Sequence, residues 1–101
     1  MKFLVFSMFD VAKAAEVAEA SDKVAKMPGV KLLSQYACQG MPFAGVPAKH
    51  MVVVSVQEYE SNQAIASSQY PLALAGVSTW AVPVLEMPAG GASAEEKKYR
   101  K

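Results

Sequence analysis

Apolar runs alternate along the chain with polar or turn-rich segments. Residues 2–9 (KFLVFSMF) are apolar at both alternating positions, which predicts a central strand covered on both faces. Asp10 is the expected cap of a helix over residues 11–26, which has one apolar stripe and one charged face. Pro28-Gly29 ends this helix, and a second strand is predicted over residues 30–39.

The second half of the chain continues with a strand and a helix. A connection rich in glycine and proline leads to a β-rich strand over residues 49–57. A helix follows, with Ser61 or Asn62 as its expected cap. Since proline breaks the interior of a helix, Pro71 predicts that this helix is in two pieces.

The last predicted strand covers residues 78–86, and Pro83 within it favours an edge position, where a missing backbone donor is tolerated. From Met87 onward the chain has no apolar periodicity. We therefore expect one domain over residues 1–87 and a mobile C-terminal tail over residues 88–101.

The element order βαββαβ predicts an α+β, ferredoxin-like fold. Two helical crossovers give a four-stranded antiparallel sheet in the order 4-1-3-2, with two helices on one face. The other face would be uncovered, yet the strands are apolar at both alternating positions. A large exposed apolar face is a liability in a monomer, so a second copy is expected to cover it, forming a homodimer through the sheet face.

Three features carry a resemblance to a known family: the opening strand ending in Phe9, Pro28-Gly29 before an aromatic-bearing strand, and the closing Trp80-Ala81-Val82-Pro83-Val84. Over about residues 3–86 the chain resembles the dimeric α/β-barrel superfamily, and more narrowly a group of bacterial domains in it of unknown function. The resemblance implies two sheets packed face to face around a cavity. Members include cofactor-free monooxygenases, haem-degrading enzymes and muconolactone isomerases, so the fold does not select one chemistry.

Charge, cysteine content and hydropathy limit the classes of partner and the cellular location that are expected. The formal net charge is +1 and the only arginine is Arg100, so nucleic acid is not expected as a partner. The single cysteine, Cys38, excludes an internal disulfide and fits a reducing cytoplasm. No apolar run approaches the roughly 18 residues of a membrane span, so no membrane partner is expected.

The hairpin of the second and third strands holds the most reactive side chains. If it closes symmetrically, Cys38 lies opposite His50 and Tyr36 opposite Val52. This would bring a thiol and an imidazole within reach, as in an activated thiolate or a soft-metal site. No further histidine or cysteine completes such a site, so neither a metal site nor a cofactor is predicted, and a buried cysteine is the simpler interpretation.

Strand polarity predicts which face meets a ligand. One parity of the second and third strands is the more apolar one and is expected under the helices; it includes Val30, Leu32, Tyr36, Cys38, Val52, Val54 and Val56. The other parity is expected to face the partner and any cavity; it carries Gln35, Gln39, Ser55 and Gln57. The candidate ligand-binding residues are Tyr36, Trp80, Gln35, Ser55 and Met51, which suit an apolar molecule with a few hydrogen-bonding groups.

Three functions remain open from the sequence. The first is a homodimer that binds a small molecule in a mainly apolar cavity between its sheets. The second is a cofactor-independent monooxygenase or isomerase acting on a small aromatic or ketone substrate, with Trp80, Tyr36 and His50 at its site. In that enzyme His50 would be the catalytic acid–base, because its ordinary pKa lies near neutrality. The third is a purely structural dimer.

Overall fold

The computed structural model describes residues 1–100 and has the predicted ferredoxin-like order. Four antiparallel strands form one sheet in the order β2-β3-β1-β4, which confirms the predicted topology. The elements are β1 Lys2–Asp10, a 3₁₀ turn Val11–Lys13, α1 Ala14–Ala25, β2 Val30–Ala37, β3 His50–Tyr59, α2 Asn62–Leu74, β4 Ser78–Pro83 and α3 Ala92–Tyr99. None of the helices in this part of the chain is long and apolar enough to cross a bilayer.

The core lies between α1, α2 and one face of the sheet. Phe3, Val5 and Phe9 alternate along β1 and are all buried on this face. Phe3 and Val5 pack with Tyr59 and Ala64, and Phe9 packs with Val17 and Val77. Both helices therefore cover the same face of the sheet, as predicted.

The two expected helix caps are present. Asp10 Oδ1 accepts a hydrogen bond of 2.9 Å from the amide of Ala12, and Ser61 Oγ accepts one of 3.1 Å from the amide of Ala64. Each satisfies one of the first amides of its turn, which have no partner within a helix. The predicted break at Pro71 is wrong, because α2 continues through it. The carbonyl left without a donor would be that of Ser67, an exposed residue that solvent can reach.

The C-terminal segment differs from the prediction. Strand β4 ends at Pro83 and forms a sheet edge, as the proline predicted, while residues 92–99 form helix α3 where no regular structure was expected. This helix has no buried residue and is supported by ion pairs between Lys98 and Glu95 (2.7 Å) and between Arg100 and Glu96 (3.2 Å). The division into a domain of residues 1–87 and a tail of residues 88–101 stays a prediction.

Candidate functional site

The sheet has one face under the helices, the helix face, and one away from them, the open face. Residues paired across antiparallel strands point to the same side, so the register assigns every side chain to a face. The central row of the open face runs across all four strands through Tyr36, Val54, Phe6 and Trp80. The neighbouring rows are Ser34, Val56, Leu4 and Val82 on one side, and Cys38, Val52, Met8 and Ser78 on the other. Apart from Ser34 and Ser78 on the edge strands, these three rows of the open face are therefore apolar.

An aromatic cluster lies on the open face. Phe6 and Trp80 are stacked with ring centroids 5.5 Å apart and an angle of 15° between the rings. Phe43 meets Trp80 edge-on at 5.8 Å and Phe6 at 6.3 Å. Because Phe43 belongs to the connection between β2 and β3, this connection folds over part of the open face. Trp80 nevertheless remains 36% exposed and Val82 41%.

A groove of about 280 Å³ lies on the helix face below α1, and we call it the α1 groove. Its apolar walls come from both helices and from strands β1, β2 and β3. Its polar lining residues are Ser7, Ser21, Asp22, Gln35, Ser55 and Gln57. Ser55 is only 5% exposed, and its hydroxyl accepts a hydrogen bond of 2.7 Å from Gln57 Nε2. The groove is thus apolar with a few oriented polar groups, and its volume is near the lower end of the roughly 300–1,000 Å³ typical of ligand pockets.

The structure separates the five predicted ligand-binding residues. Gln35 and Ser55 face each other across β2 and β3 and both line the α1 groove. Met51 packs on the helix face against the cluster around Phe9. Tyr36 and Trp80 lie on the open face, at the two edge strands, which are roughly 14 Å apart.

The predicted assignment of the two faces is correct for Val30 and Leu32, which lie on the helix face, and wrong for the rest of the hairpin. Tyr36, Cys38 and the valines opposite them lie on the open face, whereas Gln35, Ser55 and Gln57 lie under the helices. One cause is a register shift in β2 between Leu32 and Ser34, which ends the strict alternation along this strand. The other is the α1 groove, because its floor accepts polar side chains that a filled core would exclude.

The hairpin register also differs from the symmetric closure expected. Tyr36 pairs with Val54, and the amide of Cys38 donates a 2.9 Å hydrogen bond to the carbonyl of Val52, so the register is two residues away from the predicted one. Cys38 and His50 are therefore diagonal neighbours rather than opposite each other. They line one recess of about 230 Å³ at the end of the hairpin, which we call the hairpin recess.

The three residues of the predicted enzyme do not share one site. His50 is half-buried and lies four residues along β3 from Val54, which corresponds to roughly 13 Å from the row of Tyr36 and Trp80. Its Nδ1 is 3.0 Å from the carbonyl oxygen of Ala48. A small substrate that contacts all three side chains would have to bridge these distances.

The closest charged contact involving a strand residue lies at one end of the sheet, away from the α1 groove and from the central row of the open face. Lys2 and Glu86 form an ion pair of 2.7 Å at one end of the sheet, and the hydrogen bond between them raises the pKa of Lys2 and lowers that of Glu86. In the α1 groove Asp22 is the only charged side chain among the lining residues. The groove therefore suits a neutral or weakly cationic molecule better than an anion.

Sequence reasoning missed two contributors to these sites. Phe43 lies in the connection rich in glycine and proline, and the one sequence signal for its role is that it is the only aromatic residue in that segment. Asp22 belongs to the charged face of the first helix, where its i,i+4 spacing to Lys26 predicts a surface ion pair rather than a place at a binding site. Its place beside the groove depends on how α1 crosses the sheet, which helical spacing does not specify.

Comparison with known proteins identifies the fold. A DUF3240 family protein from Shewanella baltica OS155 superposes with a TM-score of 0.50 at 13% identity, covering 86% of this chain and 93% of that one. A protein proposed to be a glycine cleavage system transcriptional repressor superposes with a TM-score of 0.51 at 11% identity, covering 86% of this chain and 49% of that one. No protein-family model and no curated protein matches the sequence. At these identities the likeness confirms the ferredoxin-like part of the resemblance found in the sequence.

Proposed function

We propose that this protein is a cytoplasmic homodimer that binds one small, mainly apolar molecule per subunit. In this proposal the two open faces pack against each other, and the ligand lies in the α1 groove rather than between the sheets. The α1 groove is the observation that carries the binding function, because it combines apolar walls with a few polar side chains, of which Ser55 and Gln57 are hydrogen-bonded to each other. The single cysteine supports the cytoplasmic location.

The open face supports the dimer. Four strands give it a width of about 19 Å, and seven residues of β1 give it a length of about 23 Å. This corresponds to roughly 440 Å² in projection, against about 800 Å² of accessible surface per partner in a standard interface. Further apolar surface comes from the side chains that project from this plane and from the connection that carries Phe43. Leu85 and Met87, which are exposed beyond β4, add to it.

The α1 groove specifies the chemistry of its ligand. Gln35 is exposed, and its side-chain amide can turn toward a bound molecule. The side-chain amide of Gln57 already donates a hydrogen bond to the hydroxyl of Ser55. Asp22 accepts hydrogen bonds only, so it favours a ligand that donates one, such as a hydroxyl or an amine. We therefore expect a compact apolar molecule with one or two hydrogen-bond donors.

Native mass spectrometry of the protein purified from its own host tests the proposal. We expect the mass of a dimer with a dissociable adduct that is lost on denaturation. Gln35→Leu should reduce the adduct, because it removes the free amide and leaves the apolar wall intact. Gln63→Leu is the matched control, since Gln63 is exposed on α2 and does not line the α1 groove. A bare dimer would contradict ligand binding, and a monomer would contradict the assembly.

Fluorescence of the single tryptophan distinguishes the two possible ligand positions. Trp80 lies on the open face and does not line the α1 groove. A ligand in the groove should leave Trp80 emission unchanged when it is removed and added back. A ligand between the sheets would change the emission, and this result would contradict the groove position.

A further inference from the structure

We propose that the hairpin recess is a binding site for a single Cu(I) ion, with Cys38 Sγ, His50 Nε2 and Met41 Sδ as ligands. The sequence predicted no metal site because a third ligand was missing from the pair of Cys38 and His50. The recess supplies this third ligand, because Met41 lines it together with the other two. The proposal does not depend on the α1 groove.

The strand register places two of the ligands on the same side of the hairpin. The amide of Cys38 bonds to the carbonyl of Val52, and His50 lies two residues before Val52 on the same strand. Diagonal neighbours of this kind are roughly 7 Å apart. Metal–sulfur and metal–nitrogen bonds of about 2.0–2.3 Å allow a cysteine and a histidine side chain to span this separation.

The ring of His50 is already oriented for binding through one nitrogen. Its Nδ1 lies 3.0 Å from the carbonyl oxygen of Ala48, and because a carbonyl can only accept a hydrogen bond, Nδ1–H is the donor and the lone pair of Nε2 is free. Histidine ligands in metal sites commonly donate their other nitrogen to a backbone carbonyl in this way. Lys49, between the two residues, has a φ of 61°, which is unusual for a residue other than glycine.

The ligand types select a soft, monovalent ion. Met41 is 70% exposed at the recess, and the thioether of a methionine together with a thiolate favours Cu(I) over Zn²⁺ or Mg²⁺. Cu(I) also cancels the charge of one thiolate, which suits a recess with Pro42, Val46 and Val52 in its lining. Nowhere in residues 1–100 do three His, Cys, Asp or Glu side chains gather, so a harder cation lacks a comparable set of ligands.

Titration of the reduced, metal-free full chain with Cu(I) tests the site, with bicinchoninate as a coloured competitor and oxygen excluded. We expect one Cu(I) per chain in the wild type. Met41→Leu keeps the shape and removes the thioether, and it should weaken binding at least 10- to 100-fold, since losing even an outer-shell partner costs about that much. Met87→Leu, at an exposed methionine outside the recess, is the matched control and should bind as the wild type does.

Two further variants and a spectroscopic measurement complete the test. Cys38→Ser should abolish binding and His50→Gln should weaken it, while circular dichroism reports that both remain folded. X-ray absorption at the copper edge should show two sulfur ligands and one nitrogen ligand. Unchanged affinity in Met41→Leu, or binding that survives Cys38→Ser, would overturn the proposal. Displacement of Cu(I) by equimolar Zn²⁺ would also overturn it.

Discussion

Replacing Val54 with lysine is the sharpest test of the proposed dimer. Val54 occupies the central row of the open face, between Tyr36 and Phe6 on the adjacent strands. In an isolated subunit the lysine stem can lie along the apolar face while its ammonium group stays in water. The variant chain should therefore fold, and the effect should fall on association.

The expected magnitude follows from burial of two charges. A two-fold axis brings both copies of residue 54 into one interface, so each dimer buries two ammonium groups. The carboxylates on this side of the sheet, Asp10 and Glu58, lie at its two ends, about 13 Å along the strands from the row of Val54. An unpaired buried charge costs about 3 kcal/mol, and two cost about 6 kcal/mol. Because each 1.4 kcal/mol is tenfold in affinity, the Kd of the dimer should rise about 10⁴-fold.

Sedimentation velocity across the micromolar range measures this change. Ala37→Lys is the matched control, because Ala37 is exposed on β2 and its side chain points to the helix face. We expect the control to remain a dimer and Val54→Lys to sediment as a folded monomer. A monomeric wild type would refute the assembly, and an unchanged Kd in Val54→Lys would refute packing through the open face.

Three further predictions concern stability. Val5→Ala removes a side chain that is 2% exposed and should lower the free energy of unfolding in urea by about 2 kcal/mol, with a loss near zero contradicting its place in the core. Ser61→Ala removes the α2 cap and should cost about 1 kcal/mol by thermal unfolding; Ser67→Ala, at an exposed serine within α2, is the control and should change stability little. Burial raises the pKa of Tyr59, so the folded chain keeps a proton that the unfolded chain releases first. The contribution of the protonated Tyr59 to the free energy of unfolding is complete below about pH 10 and is lost as the pH rises through the folded pKa. Tyr59→Phe should therefore lose less stability than the wild type between about pH 9 and 11. Parallel plots of unfolding free energy against pH for the two chains would exclude the effect.

The element order and the sheet topology could be predicted because each depends on local signals. Asp10 and Ser61 mark helix starts, Pro28-Gly29 marks a helix end, and Pro83 marks an edge strand. A βαββαβ order with crossovers of one hand then leaves few possible sheets. These signals depend on backbone donors and dihedral angles, which neighbouring residues determine.

The register of the hairpin could not be predicted in this way. The connection between β2 and β3 covers residues 38–49, so no two-residue turn joins the strands and fixes which residues pair. A shift of two residues also preserves the alternation of faces. The same uncertainty hid the proposed third ligand of the hairpin recess, since it is the observed structure that places Met41 in one recess with Cys38 and His50. The register shift between Leu32 and Ser34 also changes which residues of β2 face the helices, and no glycine or proline at this point of the sequence indicates it.

The error in the face assignment itself supports the dimer. The more apolar parity was expected under the helices, because burial within one chain was taken to explain apolarity. The structure instead places the apolar parity, with Phe6, Val54 and Trp80, on the open face, and the polar parity, with Gln35 and Ser55, under α1. A face that stayed in water would carry polar residues at alternate positions, as one-sided antiparallel sheets do. The apolar composition of the open face is therefore best explained by a partner sheet that covers it, which is the interaction that Val54→Lys is designed to break.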